Sequence, residues 1–382
     1  MASMKISAVI FDLDGTLLDT ERATRGILAE FLARYGKAPD AEKEEKRLGK
    51  MHKESAAAIV VDYQLPMTAE EYSAAIMPLY HQKWPQATAL PGVDRLMNHL
   101  HKHGVPLALA SNSMKKHIEL KISHQKGWKE CFSAILGGDE VNHGKPSPDI
   151  FLEAAKRLGV DISKCLVIED SLVGVRAAKA SGAKVVAVPS LQCHVEYQEL
   201  ANCVLNSLLE FRPELWGLPA FEDWVQSALP IDPLYLSGMI SKTFQQDGLT
   251  VINTTTDSES YLSIPDQVSG VFFGWAKIET MGMFKAVISL GWDLSSGIAV
   301  RAIKQHLIGH IENYSSKENF RLLIVGYIRN LQDEADLSET LKITEEDNRI
   351  AQEALDLPLF SEFKSCDHLQ KESLGMETCV GD

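Results

Sequence analysis

The sequence predicts an α/β chain: a Rossmann-like core carrying a small helical cap, followed by a second, β-barrel-like domain. Three observations predict it. Residues 6 to about 190 alternate short β-rich runs with helical stretches, while the strand signal vanishes between about Thr20 and Trp84. Aromatic and β-branched runs then return beyond a zone dense in proline. The length agrees, because 382 residues allow about two or three domains at roughly 150 residues each.

The core strands are expected at residues 6–11, 106–111, 132–136, 165–169 and 184–188, in the βαβ rhythm of a mostly parallel sheet. The clearest helix start is Ser147-Pro148-Asp149. Ser147 suits the N-cap, Pro148 the first helical position, and Asp149 opposes the helix dipole. Ile150, Phe151, Ala154, Ala155 and Leu158 recur at helical spacing, and Gly159 ends the run. Residues 18–86 are helical, charged and broken by Gly49 and Pro66, which marks an insertion acting as a cap. The first domain is expected over 1–211.

Pro213, Pro219, Pro230 and Pro233 mark a semi-rigid connector over 212–235. The second domain is expected over 236–363. Its runs at 270–276 and 284–290, joined through Met281-Gly282, predict an antiparallel hairpin. Residues 322–328 read as a further strand and 343–357 as an acidic amphipathic helix. The acidic run from Glu339 to Asp347 is expected on the helix's outer face. A polar, loose tail is expected over 364–382.

Apolar residues at 45% and charged residues at 24% exclude a mainly disordered or collagen-like chain. The longest apolar runs, such as residues 105–110, fall far short of the ~20 residues that span a bilayer. The short run at 7–11 passes straight into Asp12, unlike a signal peptide. Six cysteines without a CxxC or metal spacing predict free thiols in a reducing compartment, and a cytoplasmic setting, or an organelle if a transit peptide is removed. A net charge of −14 with no dense Lys/Arg run disfavours nucleic acid as a partner. It says nothing against small phosphorylated metabolites.

The chemistry concentrates at strand ends. Asp12-Leu13-Asp14-Gly15-Thr16 follows the first strand, and Ser111-Asn112-Ser113 the second. Lys145 precedes the capped helix, and Glu169-Asp170-Ser171 ends a third strand, with Gly174 just beyond. In open α/β sheets the carboxyl edge of the strands is where ligands bind. Turn propensity alone would explain Asp and Gly in the first motif, but not the whole set. A carboxylate nucleophile can split phosphate-ester hydrolysis through an aspartyl-phosphate, and a second carboxyl can shuttle the proton. Several clustered acids repel each other and a phosphate unless a hard divalent cation sits among them, which implies Mg²⁺.

These four motifs, in this order, resemble the haloacid dehalogenase superfamily of phosphatases, in the subgroup with a small helical cap. The resemblance covers about residues 6–190. It implies Asp12 as nucleophile and Asp14 as general acid/base, with Ser111 and Lys145 holding the phosphoryl group. Gly15, Thr16 and Asn112 would line the same phosphate site. Asp12, the Asp14 carbonyl, Glu169 and Asp170 would hold Mg²⁺. Some members with a similar cap are phosphomutases, and the motifs do not separate the two outcomes.

Beyond the connector, Gly270 to Ala276, Ser289-Leu290-Gly291-Trp292 and Leu322 to Arg329 resemble riboflavin kinase. The whole chain thus resembles the plant bifunctional FMN hydrolase/riboflavin kinase family. The kinase half departs from that family's pattern. Gln245 and Asp247 stand where glycines let backbone amides approach phosphates, and Asp247 would repel them. Of the family's Pro-Thr-Ala-Asn motif, only a threonine survives, matched to Thr255. Lys304 stands where the family has a Glu base, and an ammonium cannot take a proton from a ribityl hydroxyl at neutral pH. A shifted alignment recruits His306, His310 or Glu312 without restoring the glycines. The expectation is a retained fold without its reaction, one that could still serve self-association or flavin binding.

Glu21, Arg25, Lys50, His52 and Lys53 are cap residues that could reach a ligand's leaving group, although charged side chains on exposed helix faces are the norm. His101 and His103 read as solvated helix-end residues. FMN is the substrate the resemblance implies. The sequence leaves open a sugar, polyol or prenyl phosphate instead, and a non-catalytic flavin-binding or scaffold protein.

Overall fold

Side chains in the N-terminal strands alternate between two faces. Val9 and Phe11 of β1 (Ala8–Phe11) enter one buried cluster and Ala8 and Ile10 the other. In β2 (Leu107–Ser111) Leu107 and Leu109 divide from Ala108 and Ala110, as the two-residue strand period requires. A sheet apolar on both sides needs cover on both sides.

The computed structural model describes residues 5–45, 52–190, 195–246, 249–256, 264–293, 300–309, 318–331 and 341–370. The chain divides into two units. The first holds Met1–Phe221 with Pro265–Gln267, and the second Glu222–Ile264 with Val268–Asp382.

The first unit is built on a six-stranded sheet in the order β3-β2-β1-β4-β5-β6. The remaining strands are β3 (Ala134–Gly137), β4 (Cys165–Glu169), β5 (Lys184–Ala187) and β6 (Cys203–Val204). Neighbouring strands pair in parallel. Chain order reverses at β1, so a crevice opens beyond the carboxyl ends of β1 and its neighbours. The two-residue β6 went unseen in the sequence, being too short to carry a pattern.

The insertion after β1 is helical: α1 (Thr20–Thr24), α2 (Ile27–Ala33), α3 (Ala41–Glu45), α4 (His52–Asp62) and α5 (Ala69–Lys83). It has its own core of Ile27, Phe31, Leu32, Ile59, Tyr72 and Ile76. Thr68 and Glu71 form a reciprocal capping box that starts α5. A 3-10 turn at Trp84–Gln86 returns the chain to α6 (Val93–Lys102). Three helices then matter to the site: α7 (Lys115–Lys121), α8 (Asp149–Leu158) and α9 (Leu172–Ser181).

Ser147 is not the cap of α8. Pro148 takes the N-cap position, while the Ser147 hydroxyl donates to Asp149 Oδ1 at 2.6 Å. Gly159 ends α8 in the left-handed region, as its lack of a Cβ favours. His101 and His103 are exposed at the end of α6.

The second unit is a closed barrel in the order β10-β11-β8-β7-β12-β9. Its strands are β7 (Leu229–Gln246), β8 (Leu249–Thr256), β9 (Gly270–Ile278), β10 (Gly282–Asp293), β11 (Val300–Ile308) and β12 (Asn319–Arg329). β9 and β10 form the expected hairpin. The helix α10 (Glu345–Ala354) packs into the barrel's core through Ile350, Ala351 and Ala354.

The proline-rich stretch 212–235 does not remain a spacer. Trp216 and Leu218 are buried in the first unit's core, and β7 already begins at Leu229. Pro230 and Pro233 are tolerated because, among the described residues, this first part of β7 pairs with β12 alone, while β8 pairs from Gly238 onward. The tail is anchored as far as it is described. Leu369 of α11 (Asp367–Gln370) is fully buried against the barrel core. The acidic run also departs from its expected exposure, since Asp347 is buried and grips Arg329 through both oxygens at 2.9 and 2.7 Å. Among the described residues no helix is long and apolar enough to cross a membrane.

Candidate active site

Strand ends deliver the acids. Asp12 follows β1 directly, Glu169 ends β4, Ser111 ends β2, and Lys145 lies on the loop before α8. The Lys145 ammonium donates to Asp12 Oδ1 at 2.5 Å and to Glu169 Oε1 at 2.6 Å, and all three groups are buried. The other Glu169 oxygen accepts from the Ser171 amide at 3.1 Å and hydroxyl at 3.0 Å. The same hydroxyl accepts from the Gly174 amide and so caps α9. A Cβ at Gly174 would overlap the Glu169 carboxylate, so glycine is required there.

Asp170 stands beside this group. Thr16 donates to it at 3.0 Å, and Tyr197 donates to its backbone carbonyl at 2.7 Å. Gly15, at φ +84°, lies so close that a Cβ would overlap the Asp170 carboxylate. The Gly15 carbonyl accepts from the Gln267 side-chain Nε2 at 2.7 Å, within the same unit.

Asp14 is held apart from Asp12. Lys121 donates to both Asp14 oxygens, at 2.7 and 2.8 Å, and Ser113 donates at 3.0 Å. The Ser111 hydroxyl reaches the same carboxylate at 3.4 Å and accepts from the Ser113 amide at 3.1 Å. Asn112 holds the Lys145 loop, accepting from the Lys145 amide at 2.8 Å and donating to its carbonyl at 3.3 Å.

Charge in so dry a place shifts the acids apart. Burial pushes Asp12 up to about 7, with Lys145 pulling it down and Glu169 and Asp14 adding to the rise. Asp170 is raised well above the usual carboxylate range, first by burial and then by Glu169, Asp12 and Glu21. For Asp14 burial also acts upward, but Lys121 and the Thr20 and Ser113 hydrogen bonds outweigh it and leave the carboxyl below its ordinary value. Lys145 moves up, because Asp12 and Glu169 outweigh the cost of its burial.

Asp12, Glu169 and Asp170 each offer an oxygen within 4.8 Å of the others. Their donor set is all hard oxygen, and these three carboxylates face the single Lys145 ammonium, which bonds only two of them in the hydrogen bonds given above. A divalent cation of the Mg²⁺ type fits these donors.

The sequence-predicted acids, Ser111 and Lys145 thus meet in one crevice, together with Gly15 and Thr16. Glu21 on α1 acts on Asp170 through its charge, and both it and Arg25 are exposed. Lys50 lies outside the described residues, as do the side chains of His52 and Lys53. Sequence reasoning missed Lys121, Thr20 and Tyr197. Lys121 left one trace, a lysine between Ile118 and Ile122 on the buried stripe of α7.

In the second unit Lys304 lies on β11 opposite Ser289, and the backbone of Gln245 pairs in strand register with Thr250. Thr255 pairs with Met239. Asp247, His310 and Glu312 fall outside the described residues.

Residues 6–182 match the haloacid dehalogenase-like hydrolase family, and residues 232–355 match riboflavin kinase. The chain is 45% identical to a bifunctional riboflavin kinase/FMN phosphatase of Arabidopsis thaliana, over 96% of this chain and 97% of that protein. A probable pseudouridine-5'-phosphatase of Drosophila melanogaster is 41% identical over 57% of this chain and 97% of its own length. A crystal structure of CbbY from Rhodobacter sphaeroides in complex with phosphate aligns with a TM-score of 0.48 at 28% identity, covering 54% of this chain and 96% of that one.

Proposed function

Because the chain belongs to the family of bifunctional riboflavin kinase/FMN phosphatases, we propose that its first unit hydrolyses FMN to riboflavin through a phosphorylated Asp12. We propose with it that the second unit no longer phosphorylates riboflavin. The observation that carries the first reading is the Lys145 ammonium bridging Asp12 and Glu169, with Asp170 alongside.

In this reading an Asp12 oxygen attacks phosphorus, the P–O bond to the ribityl oxygen breaks, and Asp14 gives that oxygen its proton. Water then attacks the aspartyl-phosphate, Asp14 takes a proton from it, and Asp12 leaves as a carboxylate. Lys145 keeps Asp12 oriented between turnovers, and the Ser111 hydroxyl would donate to a phosphoryl oxygen. Asp12, Glu169, Asp170 and the Asp14 carbonyl would hold Mg²⁺, which when bound neutralises the acids and the charge on the transferred phosphoryl group.

Loss of the kinase reaction is supported by Lys304 in place of a carboxylate base, and by Gln245 and Asp247 in place of glycines. The 41% identity of the first unit to a probable pseudouridine-5'-phosphatase favours one second reading, a phosphatase redirected to another phosphate ester.

Phosphate release with Mg²⁺ from FMN and a panel of sugar, polyol, nucleotide and prenyl phosphates tests both, with Asp12→Asn alongside. FMN should lead and the variant should be dead. Another ester in the lead replaces FMN, and turnover surviving Asp12→Asn removes the covalent mechanism. Riboflavin and ATP should yield no FMN; steady FMN formation would overturn the second claim.

A further inference from the structure

Lys121 occupies a place that the phosphatase motifs do not account for. Its ammonium is buried at the end of α7 and makes three hydrogen bonds: to both Asp14 oxygens, at 2.7 and 2.8 Å, and to Ser113 Oγ at 2.9 Å. Its remaining side faces the Trp84 ring, with Nζ 4.6 Å from the ring centroid. A cation on an indole face, shielded from water, is attracted by the ring's quadrupole as well as by the carboxylate. Trp84 is itself wedged: its ring lies 5.0 Å from that of His117, one turn before Lys121 on α7, and 5.6 Å from that of Tyr80 in α5. It also opens the 3-10 turn by which the chain leaves the cap.

We infer that Lys121 is a positioning residue for Asp14, seated by Trp84. It fixes both carboxylate oxygens at once, so the group that exchanges a proton with water stays in one orientation while the aspartyl-phosphate is cleaved. Lys121 touches neither Asp12 nor Lys145 in any bond described. Its effect on turnover therefore passes through Asp14. This inference rests on the phosphatase reading, and in particular on Asp14 as the proton acceptor.

The test separates the two half-reactions on the full-length chain with p-nitrophenyl phosphate, whose leaving group needs no proton. A p-nitrophenol burst reports phosphoenzyme formation, and the steady state after it reports breakdown. Asp14→Asn should slow breakdown about 10²-fold more than formation. Lys121→Met should slow breakdown at least about tenfold more than formation, Lys121→Arg should recover part of that, and the Asp14→Asn/Lys121→Met double variant should be no slower than Asp14→Asn alone.

If Asp14→Asn slows both phases equally, the reading of Asp14 falls and the inference with it. If Asp14→Asn shows the split but Lys121→Met slows both phases alike, or the double variant is additive, only the inference falls. Should Lys121→Met fail to fold, Lys121→Arg decides: a selective loss of breakdown supports the inference, and equal loss or none overturns it.

Discussion

The Lys145 ammonium lies 2.5 Å from Asp12 Oδ1 across 133 residues of sequence, and one nitrogen serves Glu169 as well. Removing it by Lys145→Met leaves two buried carboxylates without their cation. The metal-free variant should lose about 3–5 kcal/mol in urea melts, and Mg²⁺ should restore part of that. Unchanged metal-free stability would show that this ion pair does not hold the site together.

The pH dependence has a defined sign. The Asp12 carboxyl is raised from 3.8 to about 7 in the folded chain. Its contribution to stability is therefore fully present below the unfolded value and is lost as pH rises through about 7. Asp170 acts in the same direction. Asp14, whose pKa is lowered, has the opposite sign, and its contribution fails only in acid below the ordinary carboxylate range. Without metal, the Tm of the first unit should fall between about pH 6 and pH 8. Mg²⁺ competes with protons for these acids, so it should raise Tm more at the higher pH. A larger Mg²⁺ effect at pH 6 would contradict the assignment.

Gly174→Ala places a methyl group where the Glu169 carboxylate lies. Glu169 is fully buried and cannot swing into solvent. The variant should fold with a loss of about 1–3 kcal/mol and should need more Mg²⁺ for half-maximal turnover. A magnesium titration of phosphate release measures this, and an unchanged midpoint would count against Glu169 as a metal ligand.

Asp347→Ala removes the acceptor for Arg329 and the reciprocal cap of α10 in one step. The second unit's unfolding transition should weaken by about 1.5–3 kcal/mol, the usual worth of a charge-assisted hydrogen bond. Calorimetry on the full chain reads that transition, and Glu346→Ala, exposed beside it, should leave it unmoved.

Much of the fold was legible because its signals are local. Strands β1, β2 and β4 are apolar runs that stop at a polar residue, and their ends fell within two residues of the expected places. The β9–β10 hairpin showed itself through aromatic and β-branched runs about a Met281-Gly282 turn. What failed was context. Asp347 looked like one more solvated acid in an acidic run until Arg329, from β12, closed on it. Pro230 and Pro233 signalled a connector because a missing N–H usually ends a strand, yet that part of β7 has one partner among the described residues. Leu369 sat in a polar tail, and its burial depends on a barrel core assembled from distant strands.

That Asp12, Asp14, Ser111, Glu169 and Asp170 stand at strand ends is readable from local residue order, since a strand stopping at a polar turn is decided within a few residues. From that follow the crevice and the cluster of acids. Which group serves which is settled by long-range packing. That packing set Lys145 between Asp12 and Glu169, turned Asn112 onto the Lys145 backbone, gave Thr16 to Asp170, and seated Lys121 between Asp14 and Trp84. Those pairings span from 24 to 154 residues of chain where the bonds join the motifs. Strand order and the rotation of α7 about its axis choose them, and neither is written in any one stretch of sequence.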